Sequence, residues 1–234
     1  MPFTLVHPAI IFPLSRCYFC FPGLVLGSMS SDFIYYLSGK PADGGHTVFQ
    51  SEWLNLPLCL LFYAIYLTVL KTPLWANLPQ RFSHKLPETR PLPYWKWLMI
   101  FLFSTWIGML SHIFLDNFTH STGYFVQIFP FLQKEIYIPI YKWLQYVGSA
   151  MGLIAIGTYL RIMARRYPHP QIRTVRQKQR FWMMVLLLSN LAFICWNIIS
   201  PVALKQTGIL IIRSIDCLCI VLCLIGFFES KRYS

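Results

Sequence analysis

The chain has 234 residues, 56% of them hydrophobic and only 12% charged. A soluble domain of this size carries about twice that charged fraction, so an ordinary soluble enzyme is excluded and the bilayer is the expected solvent. The net charge is +12, but the basic residues gather between apolar runs, which points to a membrane-topology signal and away from nucleic acid.

The N-terminus, Met1-Pro2-Phe3-Thr4-Leu5-Val6-His7-Pro8, lacks the basic region of a signal peptide and is read as mature sequence. The stretch 8–37 is apolar but broken by Pro13, Arg16, Pro22, Gly23 and Gly27. It predicts two short helices in a hairpin, lying in the interface or entering the bilayer partway; the alternative is two full spans with Arg16 snorkelling at the tip. Cys17 and Cys20 form one CxxC with no second pair, so a structural zinc site is not expected there. Residues 38–52 read as a Gly/Pro/Asp-rich loop carrying His46.

Five stretches meet the requirement of roughly 20 apolar residues for a helical span. They run near 53–70, 95–116, 140–161, 181–201 and 207–228. Pro57 falls in the first turns of the first, where proline is tolerated. The 71–96 loop holds Lys71, Arg81, Lys85, Arg90 and Lys96 against Glu88 alone, and the 161–180 loop is basic with no acid. Both are expected in the cytoplasm by the positive-inside rule, with Lys231 and Arg232 on the same side. The 117–139 loop and the turn at 201–206 then face outward. The expected architecture is all-α: a polytopic membrane bundle of about five spans plus the N-terminal hairpin. It forms one membrane domain over 1–234, with residues 1–52 contributing part of a site and 53–228 the bundle.

That topology gathers His7, His46, His112 and His120, with Asp32, Asp43 and Asp116, on the outer face. The strongest group is the run Ser111-His112-Ile113-Phe114-Leu115-Asp116-Asn117-Phe118-Thr119-His120. At 100° per residue, Asp116 lies about 40° and His120 about 80° from His112, so all three can point one way from one helix. Two imidazoles and a carboxylate suit a divalent metal. The bland alternative is a hydrated polar helix end, but an acid near a helix C-terminus is disfavoured by the dipole, which argues for a compensating cation. His120, just past the helix end, is open between ligand, supporting donor and substrate contact. Asp32 follows a run of small residues and is either a bridging ligand or the N-cap of Phe33–Tyr36. His7 and His46, taken singly, signify little. Arg213 and Asp216 sit three apart in the last span, either as an intrahelical ion pair or with Arg213 holding an anionic substrate group.

The order of these signals is familiar. The opening Met-Pro-Phe-Thr-Leu-Val-His-Pro-Ala, then Gly27-Ser28-Met29-Ser30-Ser31-Asp32-Phe33, His46 and the 111–120 run resemble a bacterial membrane family, "domain of unknown function 4184". That family is similar in turn to the YdjM-like group, described as membrane-bound metal-dependent hydrolases. The resemblance implies that His7, Asp32, His46, His112 and Asp116 occupy the family's polar motif positions. His120 matches the histidine of its threonine-histidine ending. One departure is Ser31, where the family usually has proline before the motif aspartate.

The expectation is a metal-dependent hydrolase of the bacterial cytoplasmic membrane, its site facing the extracytoplasmic side. His7, Asp32, His46, His112 and Asp116 would bind one or two divalent ions, zinc first, manganese or iron as alternatives. His120, with Asp32, would carry the acid/base work. Arg213 would bind a lipid or phosphoester substrate. The rivals are a non-catalytic metal-binding protein and a transporter or accessory protein. No internal repeat of the transporter kind is visible.

Overall fold

The computed structural model describes residues 4–16, 18–40, 48–85, 92–168 and 173–230. His46, Asp43 and His169 lie outside the described residues. The chain begins with a 3-10 helix over Thr4–Arg16, followed by α1 (Phe21–Ser30) and α2 (Phe33–Ser38). α3 (Val48–Ile65) passes through a π-helical turn at Tyr66–Leu70 into α4 (Lys71–Asn77). Then come α5 (Tyr94–Thr119), α6 (Tyr124–Ile128), α7 (Pro130–Gln133), a small antiparallel hairpin of β1 (Glu135–Ile136) and β2 (Ile138–Pro139), α8 (Ile140–Arg166), α9 (Val175–Ile199) and α10 (Thr207–Ser230). Five helical stretches are long and apolar enough to cross a membrane: Trp53–Asn77, Tyr94–Ile128, Ile140–Arg166, Val175–Ile199 and Thr207–Ser230. The protein is an all-α, polytopic membrane bundle with additional N-terminal helices. Its spans leave large apolar side chains outward, Leu187 at 71% and Ile198 at 72% exposure, as a lipid-facing surface requires.

Helix ends differ from the hydropathy expectation. α4 continues past Lys71, α8 carries Arg161, Arg165 and Arg166, and α9 begins at Val175 ahead of Arg176, Lys178 and Arg180. Hydropathy ends a span at the first charges, but Lys and Arg are good helix formers and the backbone runs on. Thr174 also closes a full capping box with Gln177 at the start of α9. Because α3 starts at Val48, Pro57 is interior to the helix and not in its first turns. Without an N–H, Pro57 cannot donate to the Trp53 carbonyl. The 117–139 connection holds two short helices and the β-hairpin, whose tip residue Tyr137 has φ 64°. The N-terminal stretch forms three helical pieces where two were expected.

The chain folds as two compact units, Met1–Phe33 with Gly44–Leu60 and Glu88–Tyr159, and Ile34–Asp43 with Leu61–Pro87 and Leu160–Ser234. In the first, α1 lies along α5 at backbone contact. A Cβ on Gly27 would run into the Thr105 carbonyl, and one on Gly108 into the Leu24 carbonyl, so only glycine allows this approach. The Cys20 N–H donates to Ser104 Oγ at 2.8 Å and pins the start of α1 to α5. The 3-10 helix packs on the same unit, with Phe12 stacked on Tyr159 of α8 at 4.4 Å.

In the second unit α9 and α10 pack through Phe181, Val185, Val221 and Ile225. Polar ties join its helix ends. Arg173 pairs with Glu229 at 2.5 Å and donates to Asn77 Oδ1 at 3.1 Å, while Trp182 Nε1 donates to the Asn77 carbonyl at 2.9 Å.

Candidate metal centre

The close α1–α5 contact positions the first candidate ligand, His112. α1 ends at Ser30, so carbonyls of its last turn lack helical partners. The Asp32 N–H turns back to the Met29 carbonyl at 3.2 Å, which leaves the Ser28 carbonyl open. It accepts from His112 Nδ1 at 2.7 Å. A carbonyl can only accept, so Nδ1 carries a proton and Nε2 is the ring nitrogen turned to the site. This is the outer hydrogen bond that fixes tautomer and ring orientation in metal-ligating histidines.

Around that nitrogen the acids gather. Asp116, one helical turn on, places Oδ2 at 3.1 Å from His112 Nε2. Asp32 immediately precedes α2 and places Oδ1 at 3.8 Å from the same atom. Its other oxygen, Oδ2, accepts from Thr4 Oγ1 at 2.5 Å. The 3-10 helix delivers His7, whose ring stacks on His112 with centroids 3.9 Å apart and planes 17° apart. His7 Nε2 lies 4.0 Å from Asp116 Oδ1. Each of His7, Asp32 and His112 offers a ligand atom within 4.8 Å of the others, and all three are buried. This His/His/Asp cluster could bind a divalent metal.

Two observations test the fit. Ligand atoms about 2.1 Å from a shared ion in tetrahedral array lie roughly 3.4 Å apart; His112 Nε2 stands 3.1 Å from Asp116 and 3.8 Å from Asp32, and His7, Asp32 and His112 hold their ligand atoms within 4.8 Å of one another. Second, neither ring nitrogen of His7 has a hydrogen-bond partner among the described residues, although the residue is 2% exposed. A buried polar atom left so is costly and calls for an explanation. Burial first, then the adjacent His112 ring, pushes the His7 imidazole from its ordinary 6.5 down to about 3. It is therefore neutral at physiological pH, the form that ligates. The residues fit a cation.

His120 caps the C-terminus of α5 with extended backbone. Its Nδ1 sits 3.4 Å from Asp116 Oδ1 and 3.3 Å from the Asp116 carbonyl, and its side chain is 32% exposed, the most open of the group. Arg213 belongs to the second unit. It donates to Asn197 Oδ1 at 3.0 Å, to the Ser200 carbonyl at 2.6 Å and to Ser200 Oγ at 3.0 Å, and lies over the Trp196 ring. It thus ties α10 to the end of α9, and no ion pair to Asp216 forms among the described residues.

Sequence reasoning missed Thr4 and the Ser28 carbonyl. A threonine three residues before a motif histidine carries no signal of its own, and a main-chain carbonyl has none at all. The glycines that bring Ser28 within reach were legible as the small-residue spacings Gly23-xxx-Gly27 and Ser104-xxx-Gly108.

No match was found among curated proteins or among solved structures. The family described as "Domain of unknown function (DUF4184)" matches residues 1–227, nearly the whole chain and every residue of the cluster, and the protein belongs to that family.

Proposed function

We propose that this protein is a membrane-embedded, metal-dependent hydrolase whose cation is held by His7, Asp32, His112 and Asp116. The observation that supports this reading is the buried meeting of two imidazoles and two carboxylates from three separate segments, with no hydrogen-bond partner for either His7 ring nitrogen among the described residues. A divalent cation there, zinc foremost given the imidazoles, would supply Lewis acidity, lowering the pKa of a water and polarising a carbonyl or phosphoryl oxygen. Ser28 and Thr4 orient His112 and Asp32. His120, open to one side and oriented through Nδ1, is the candidate to move a proton at Nε2. The substrate proposed is a lipid or phosphoester reaching the extracytoplasmic leaflet, because the flanking spans are apolar and the basic helix ends argue for a cytoplasmic placement of the opposite side.

Burial favours a second reading. Asp32 and His112 are 3% and 0% exposed, as in fully ligated structural metal sites, which keep no open position. There the cation would clamp the N-terminal segment to α5 without chemistry.

Metal analysis of detergent-purified protein, followed by a hydrolysis screen of phospholipid, pyrophosphate and peptide substrates, tests both. Wild type should hold about stoichiometric metal, lost in the double variant His112→Ala/Asp116→Ala. Equal metal in the two would remove the metal site and both readings with it. Stoichiometric metal that stabilises the fold with no turnover on any substrate would favour the clamp.

A further inference from the structure

The second unit holds a feature independent of the metal centre. A cleft of about 1380 Å³ opens between the segment after α4, the C-terminal end of α8 and the first turns of α9. Three candidate spans end here, so the cleft sits where helices leave the apolar layer. Arg81, Arg161, Arg165, Arg173 and Lys178 all line it, and among the described residues no acid does. Arg173 and Lys178 are held by Asn77 and by the Leu78 carbonyl, and build the wall. Arg81, Arg161 and Arg165 are exposed, and among the described residues no carboxylate pairs with them. Glu229 neutralises Arg173 alone; the three exposed arginines repel one another and are relieved by an anion. Ser83 adds a second observation: it is 2% exposed, lines the cleft, and its Oγ has no hydrogen-bond partner among the described residues. The floor beyond these groups is apolar, with Trp182, Met183 and Leu186.

We propose that this cleft binds the phosphoryl headgroup of an anionic membrane phospholipid, with an acyl chain along Trp182, Met183 and Leu186. Arginine suits phosphate by its fork of donors, and Ser83 supplies a neutral one. Basic pockets between spans at the membrane surface are the expected seats for such lipids. The apolar floor selects a lipid over a soluble anion, which would leave it bare.

The test is native mass spectrometry of the full chain in detergent. It is titrated with phosphatidylglycerol, phosphatidylcholine of the same acyl chains, and inorganic phosphate. Wild type should retain phosphatidylglycerol in preference to phosphatidylcholine. The triple variant Arg81→Ala/Arg161→Ala/Arg165→Ala should lose about fivefold in affinity per arginine, about a hundredfold in all. Equal retention of the two lipids by wild type overturns the proposal, as does undiminished phosphatidylglycerol binding in the variant. Displacement of lipid by millimolar phosphate overturns the lipid as occupant. Should the triple variant fail to fold, the wild-type preference and the single exposed variant Arg161→Ala decide the matter. Metal content is measured alongside, so that failure here and failure of the metal centre are distinguished.

Discussion

The imidazole of His7 lies flat on that of His112, ring centroids 3.9 Å apart. One ring is anchored by a main-chain carbonyl, and the other reaches it from the N-terminal 3-10 helix with neither nitrogen hydrogen-bonded among the described residues. Two protonated rings at this distance would repel, so at most one carries a charge, and burial keeps His7 the neutral one.

That pairing gives a pH dependence. In the unfolded chain His7 protonates at about 6.5; in the fold its pKa is about 3. Between those values the unfolded state binds more protons, so the His7 contribution rises with pH and is complete above about 6.5. Metal-free wild type should therefore lose stability more steeply than His7→Phe as pH falls from 6.5 toward 3. Thermal melts in detergent across that range measure it, and parallel curves would count against it.

Thr4→Val removes the hydrogen bond to Asp32 while keeping the shape of the side chain. Loss of such an outer partner lowers metal affinity by about 10–100-fold. Competition with a chelator should show this shift with the fold intact.

His120→Gln should leave metal content near wild type and reduce kcat by about 10²- to 10⁴-fold on whichever substrate the screen finds. An unchanged kcat would remove His120 from proton transfer.

Gly27→Leu and Gly108→Leu should each destabilise by at least about 1–3 kcal/mol, because the new side chain meets backbone and not a yielding side chain. Melting temperature would fall by about 2–4 °C per kcal/mol. Metal should be lost together with the melting point, since the Ser28 carbonyl moves with α1.

Arg213→Ala removes three hydrogen bonds at the junction of α9 and α10 and should cost about 2 kcal/mol or more. A fall in kcat/KM with an unchanged melting temperature would instead assign Arg213 to substrate.

Much of this architecture was legible in hydropathy, because lipid imposes long uninterrupted apolar helices. Helix ends were not, since Arg161–Arg166 and Arg176–Arg180 look like loop by charge yet are helical by propensity. His112 and Asp116 were legible as a pair because helical spacing is a local geometry, and they lie 3.1 Å apart. His7 and Asp32 were not legible singly. Each has an ordinary role open to it, and their placement depends on contacts across long sequence distances. Only the order of motifs along the chain suggested them. Thr4 and Ser28 act through one hydroxyl and one carbonyl, groups whose partners no pattern of residue types records.

The Ser28–His112 bond joins residues 84 apart in the chain. A nascent polypeptide therefore makes the Ser28 carbonyl and the Asp32 carboxylate long before the imidazole that engages them. Until the second span is made these polar groups lack that partner, and burying them unpaired is costly. Burial of the cluster therefore cannot precede synthesis of α5.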